Sequence, residues 1–209
     1  MSEEWMLNVV EQMAGVGRLA VAGGLVLASG GNLSAREPGG STFLITGAGT
    51  WLDRLDRSEF SQVGLDGGIF SSLEPSSEWK LHARIYQARA DVTSVIHLHP
   101  QYALLVSALG KRIRFITQDH AYYVGSYGST KYYTNGSDEL ADTAAEQMLD
   151  HNVVLMGNHG IAAAGGSVEA AYRIAVNFEE AAKATYRALL LGDEDTEFPA
   201  EELEKLIHR

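Results

Sequence analysis

The stretch Thr93-Ser94-Val95-Ile96-His97-Leu98-His99-Pro100 is an apolar, β-branched run that closes on two histidines and a proline. Valine, isoleucine and threonine suit a pleated surface, and proline cannot continue a strand ladder, so the run reads as a strand ending at His99. Side chains at i and i+2 leave the same face of a strand. His97 and His99 therefore offer both imidazoles to one side, where a single ion can meet them. Paired histidines also occur on ordinary surfaces, so further donors are needed before a metal site is implied.

A second apolar run, Val153-Val154-Leu155-Met156, precedes Gly157-Asn158-His159-Gly160. It places a third imidazole just past a strand, between glycines that permit close backbone approach. Strand ends of one sheet converge on one rim, and three neutral imidazoles with an open position make a catalytic rather than a structural zinc site. The plainer reading has His159 capping a turn. Glu78 stands in Pro75-Ser76-Ser77-Glu78, where a helix opens with Ser76 or Ser77 as N-cap and Leu81 and Ile85 at helical spacing. A carboxylate in a first turn is favoured by the helix dipole, which alone accounts for it. Beside a metal the same group would hold the ion at rest and act as a base once substrate displaces it. Ser76, Ser77 and the helix amides, with Asn32 and Gly49 in glycine-rich turns, are neutral donors suited to phosphate.

Further out, Met6, Val9, Val10, Met13, Val16, Leu19 and Ala20 mark a helix over residues 3–27. Gly30 to Ser34 forms a turn leading into a short strand, and Glu37-Pro38-Gly39-Gly40 turns into a second strand, Thr42 to Thr46, broken by Gly47-Ala48-Gly49-Thr50. Leu52 to Phe60 reads as a short helical turn, and Val63 to Phe70 as a hairpin centred on Asp66-Gly67. Ala103 to Leu109 continues as a helix. A long alanine-rich helix covers Val168 to Leu191, followed by an acidic, mobile tail through Pro199. Neither repeat nor linker interrupts the order, which predicts a single α/β domain over 1–209 around one mixed sheet.

Composition narrows the chemistry. The 209 residues are 45% hydrophobic and 21% charged, with a mean hydropathy of -0.08, which argues against disorder. No apolar run reaches the roughly 18 residues a membrane span needs. With no cysteine there is no disulfide and no Cys-ligated zinc or iron–sulfur centre. A net charge of -11 disfavours nucleic acid and anionic membranes as partners. The acidic start Met1 to Asn8 lacks the positive charge of a secretory signal, so the expected location is the cytoplasm.

In this order, Gly31-Asn32-Leu33-Ser34-Ala35-Arg36, Pro75-Ser76-Ser77-Glu78, His97-Leu98-His99-Pro100 and His159-Gly160 resemble the class II aldolase/adducin family, most closely its L-fuculose-phosphate aldolase branch. The likeness covers about residues 5–190. It implies a three-layer α/β/α domain around a largely antiparallel sheet, assembled as a cyclic homotetramer with active sites between neighbours. It also implies that His97, His99 and His159 bind zinc, with Glu78 as fourth ligand and acid/base, while Asn32, Gly49, Ser76 and Ser77 hold a substrate phosphate. The implied reaction is reversible cleavage of a ketose 1-phosphate to dihydroxyacetone phosphate and an aldehyde, through an enediolate stabilised by the metal. Iron, manganese or cobalt could replace zinc. Glutamate at position 78 favours aldolases over the related epimerases, which carry aspartate; decarboxylation and dehydration remain the neighbouring chemistries.

The chain departs from the family pattern in two places. Ala48 stands where aldolases commonly have threonine, which removes a phosphate contact. Near the family's catalytic tyrosine this chain has Thr117 instead, within a segment rich in tyrosine: 122, 123, 127, 132 and 133. Tyr122 is the proposed donor to the leaving aldehyde, with Asp119 and His120 as substitutes and a β-rich interface patch as the plain alternative. His82, one helical turn after Glu78, is expected to pack rather than to bond that carboxylate. His151 and His208 are expected to face solvent.

Overall fold

The computed structural model describes residues 1–207. Seven helices and seven strands alternate along it: α1 (Glu3–Ala22), β1 (Asn32–Ala35), β2 (Thr42–Thr46), β3 (Phe60–Gly64), α2 (Trp79–Ala88), β4 (Ser94–Leu98) and α3 (Gln101–Ala108) make the first half. α4 (Gln118–Val124), β5 (Gly128–Thr130), α5 (Asp138–Gln147), β6 (Val153–Met156), β7 (Gly160–Gly165), α6 (Val168–Leu190) and α7 (Ala200–Ile207) make the second.

The strands form one sheet in the order β3-β2-β1-β4-β7-β6-β5. Every neighbouring pair is antiparallel except β5–β6. Alternation along each strand feeds two separate cores. Leu33, Ile96, Leu98, Leu155 and Ile161 pack with Met13 of α1, Val106 of α3 and Phe178 of α6. Phe43, Ile45, Val95, Val154, Met156 and Ala162 pack on the other face with Leu81 and Ile85 of α2 and Leu140 and Ala144 of α5. The architecture is three-layered α/β/α around a largely antiparallel sheet. No helix among the described residues is long and apolar enough to cross a membrane.

Several local readings change. α1 stops at Ala22 rather than 27, because Gly23 turns its amide back onto the Leu19 carbonyl and Gly24 takes a positive φ of 70°. Leu52 to Phe60 holds two short 3-10 turns, and Phe60 already belongs to β3. The tyrosine-rich segment is not β-rich at its start: Thr117 accepts the His120 amide as N-cap, and Tyr122 and Tyr123 ride on α4. The acidic tail is not free either. Arg114, 3% exposed, reaches from before α4 to donate to the Asp193 and Thr196 carbonyls, and Phe198 bonds back to the Phe115 carbonyl. His151 is half-buried, its Nδ1 2.8 Å from Ser126 Oγ, and His208 lies outside the described residues.

Candidate functional site

β4 and β7 run side by side at the centre of the sheet, with His97 opposite Ala162 and Leu98 opposite Ile161. His97 shares the face of Val95, turned toward α2, and His99 follows on the same side. His159 sits in the tight β6–β7 turn, its amide bonded to the Met156 carbonyl. Gly160 makes this convergence possible. A Cβ there would lie 2.5 Å from the Leu98 carbonyl oxygen, 2.7 Å from His99 Cδ2 and 2.8 Å from His97 Cε1.

Glu78 differs from the sequence expectation in place though not in partner. α2 begins at Trp79, so Glu78 occupies the position before the helix (φ -99°, ψ 15°), and neither Ser76 nor Ser77 caps it through a helical amide. Ser76 Oγ instead accepts the Glu78 amide at 3.3 Å. That backbone turn aims the carboxylate at the imidazoles: Oε2 stands 2.9 Å from His97 Nε2, and Oε1 3.2 Å from His159 Nε2. His99 Nε2 lies 3.0 Å from His97 Nε2. One ligand atom from each of Glu78, His97, His99 and His159 falls within 4.8 Å of all the others.

The donor set fits a divalent ion. His97 Nδ1 lies 2.9 Å from the Ile161 carbonyl, which only accepts, so Nδ1 carries a proton and Nε2 is the nitrogen turned to the cluster. Burial presses His99 down to about 4 and lowers His159 as well, which keeps both rings neutral. Burial opposes ionisation of Glu78; positive charge at His97 and His159, the place a cation would take, together with the Asn32 amide outweighs it and holds the carboxyl at about 2. Donor atoms converging on one point, with Glu78 Oε1 buried without a hydrogen-bond partner, are what a cation would satisfy. It is the one such cluster among the described residues.

A cavity of 160 Å³ opens on this cluster, lined by Asn32, Ala48, Gly49, Ser76, Ser77 and Asn135 together with Glu78, His99 and His159. The structure thus brings Asn32, Gly49, Ser76 and Ser77 together beside the histidines. Ala48 lines the same wall and carries no hydroxyl. Asn135 was not singled out from the sequence; its only signal is the Asn-Gly pair, whose Gly136 takes a φ of 73° and where an added Cβ would lie 2.7 Å from the Ser77 carbonyl oxygen. Tyr122 is not brought to this cavity: within one chain it lines a separate groove with Tyr123, Arg173 and Ile174. His120 is buried on α4 and Asp119 is exposed in its first turn, and neither lines the cavity. His82 is fully buried, held neutral by burial at about 3, and touches Asn32 rather than Glu78.

Residues 11–186 match the model of the Class II Aldolase and Adducin N-terminal domain family. The L-fuculose phosphate aldolase of Methanocaldococcus jannaschii is 32% identical, covering 79% of this chain and 89% of its own. The 3-oxo-tetronate 4-phosphate decarboxylase of Escherichia coli is 30% identical over 88% of this chain and 87% of its own. Among solved structures, YgbL of Klebsiella pneumoniae, described only as an aldolase/epimerase/decarboxylase candidate, superposes with a TM-score of 0.86 at 28% identity, covering 96% and 98% of the two chains. With the family's fold and a histidine–carboxylate cluster beside its cavity, the chain belongs to the class II aldolase and adducin family, as one of its enzymes, a carbon–carbon lyase.

Proposed function

We propose that this enzyme is a zinc-dependent sugar-phosphate aldolase that reversibly cleaves a ketose 1-phosphate to dihydroxyacetone phosphate and an aldehyde. The observation that carries the reading is the placement of Glu78 between the zinc-type donors and the hydroxyl-lined cavity. His97, His99 and His159 hold the ion, with Glu78 as fourth ligand. When bound, the ion supplies Lewis-acid stabilisation of the negative charge that develops on the substrate oxygens as the carbon–carbon bond breaks.

The chain's own groups supply the rest. Ser76, Ser77, Asn32 and the Gly49 backbone bind the phosphate through neutral donors, which suit an anion beside an acidic residue. Glu78 takes a proton from the hydroxymethyl carbon in the condensing direction and returns it in the cleaving direction. The leaving aldehyde takes its proton from Tyr122 of a neighbouring subunit in a cyclic homotetramer. The protein works as a single domain over 1–209, in the cytoplasm.

The similarity to the Escherichia coli decarboxylase supports a second reading, loss of carbon dioxide from a 3-oxo acid phosphate. Both readings are tested by offering the zinc-loaded protein a panel of ketose 1-phosphates and 3-oxo acid phosphates. Dihydroxyacetone phosphate released in step with an aldehyde supports the aldolase; carbon dioxide release without it supports the decarboxylase.

A further inference from the structure

β1 turns a polar stripe toward α2. Asn32 and Ser34, with Arg36 just past the strand end, occupy alternate positions, and all three are buried. Facing them, Glu78, His82 and Tyr86 lie four residues apart at and along α2, also buried. Two strand residues advance about 6.7 Å and four helical residues about 6 Å, so the stripes stay in step. Asn32 meets Glu78 and His82, Ser34 meets His82 and Tyr86, and the Arg36 guanidinium lies 4.7 Å over the Tyr86 ring. The surroundings, Phe43, Ile45, Leu81 and Ile85, are apolar, so each polar group in the stripe has to satisfy another.

The chemistry of the partners fixes the direction of every bond. The ionised Glu78 carboxylate only accepts, so Asn32 turns its NH2 group to Oε2, at 3.0 Å. That leaves Asn32 Oδ1, another pure acceptor, 2.5 Å from His82 Nε2, and the neutral ring must carry its proton there. His82 Nδ1 is then a bare lone pair 2.6 Å from Ser34 Oγ, so the serine donates to it and accepts from the Tyr86 phenol at 2.7 Å. All donors point from Tyr86 toward Glu78. Were Asn32 to flip, two acceptors would face each other at Glu78, and with the ring protonated at Nε2 two donors would face each other at His82.

We propose that His82 is a positioning residue: as the Nε2–H tautomer, held by Ser34 and Tyr86, it locks the Asn32 amide so that Asn32 presents only N–H donors, one to Glu78 and one to the ligand cavity. The cavity wall at Asn32 therefore selects a group that accepts, a phosphate oxygen. The identity of the sugar phosphate rests on the proposed function; the tautomer does not.

Two measurements test this. A long-range proton–nitrogen spectrum of the wild-type protein labelled at its histidine rings should show His82 neutral and protonated at Nε2 at pH 7. A ring protonated at Nδ1, or at both nitrogens, overturns the proposal. Inorganic phosphate is then titrated into zinc-loaded wild type, His82→Leu and His82→Gln. Glutamine keeps the same polarity, donating to Asn32 and accepting from Ser34, whereas leucine does neither. The leucine variant should bind phosphate about tenfold more weakly with its zinc content unchanged, and glutamine should restore most of the loss. For a substrate that is turned over, KM should rise with kcat nearly unaltered. Equal affinity in all three proteins, or equal loss in both variants, contradicts the positioning role. Absence of any aldol cleavage removes the aldolase reading, while the ring spectrum and the phosphate titration still decide this one.

Discussion

His97 Nε2 and His99 Nε2 face each other at 3.0 Å, while His97 Nδ1 is turned away to donate to the Ile161 carbonyl at 2.9 Å. Two imidazole nitrogens at that distance share either a proton or a cation, and both are turned to the point where Glu78 and His159 also converge. The strand period that puts both rings on one face thus makes a pair suited to chelating one ion.

Removing one of these donors should remove the ion. His97→Ala leaves two imidazoles and one carboxylate, and zinc should fall from one per chain to near zero after dialysis, as read by elemental analysis. Because zinc binds the folded form, chelation of the wild type should lower its melting temperature, by an amount that grows with the zinc concentration of the reference sample. Unchanged zinc in His97→Ala would dismiss the ligand set.

Glu78→Gln keeps the shape and an oxygen donor but cannot carry a proton. Zinc should remain near stoichiometric while kcat drops by about a hundredfold or more, the usual span for a general base. Undiminished turnover would move the proton transfer to another group.

Gly160→Ala places a methyl against the Leu98 carbonyl oxygen and both ligand rings of β4. The buried site cannot yield without parting β4 from β7, so the variant should lose about 1–3 kcal/mol of stability, in the range of overpacked positions. Zinc affinity should fall with it. Denaturant unfolding and zinc titration of the same sample check both, and wild-type values in each would show that the turn has room.

The tail anchor has a pH signature. Backbone amides of Asp195 and Thr196, with Arg114 beside them, hold the partly exposed Asp193 carboxyl well below its ordinary 3.8, at about 2. A depressed carboxyl stabilises the folded anchor above its unfolded value and loses that contribution as pH falls through the folded one. The Asp195 and Thr196 amide shifts should therefore hold still from pH 5 to pH 3. A transition centred at 3.8 would mean that the carboxyl is free; Arg114→Ala, which removes only the smallest of these contributions, should move the midpoint up only slightly.

The readable parts of the sequence were those in which local pattern and tertiary demand coincide. β4 and β6 are β-branched runs with clear stops, α6 carries its apolar stripe for six turns, and the four site segments name their own chemistry. β7 was hidden because Gly160-Ile-Ala-Ala-Ala-Gly165 has no strand propensity of its own; pairing with both β4 and β6 imposes it. α4 was masked by aromatics that suit a strand equally well, and only the Thr117 cap decides for a helix. α5 is capped by Ser137, but Asp138-Glu139 and the alanines gave little apolar period to read. Within the site, the donors could be named from spacing, but the route from His82 to Glu78 through Asn32 could not: it depends on the register of a strand against a helix 46 residues away in sequence.

The central claim is that three imidazoles and one carboxylate, brought together from β4, the β6–β7 turn and the mouth of α2, hold a single divalent ion. X-ray absorption at the zinc edge of the reconstituted wild-type protein reads that shell directly. One zinc per chain with three imidazole nitrogens and light oxygen donors is the expected result; a zinc ion bound by fewer than three imidazoles, or by none, would contradict the account.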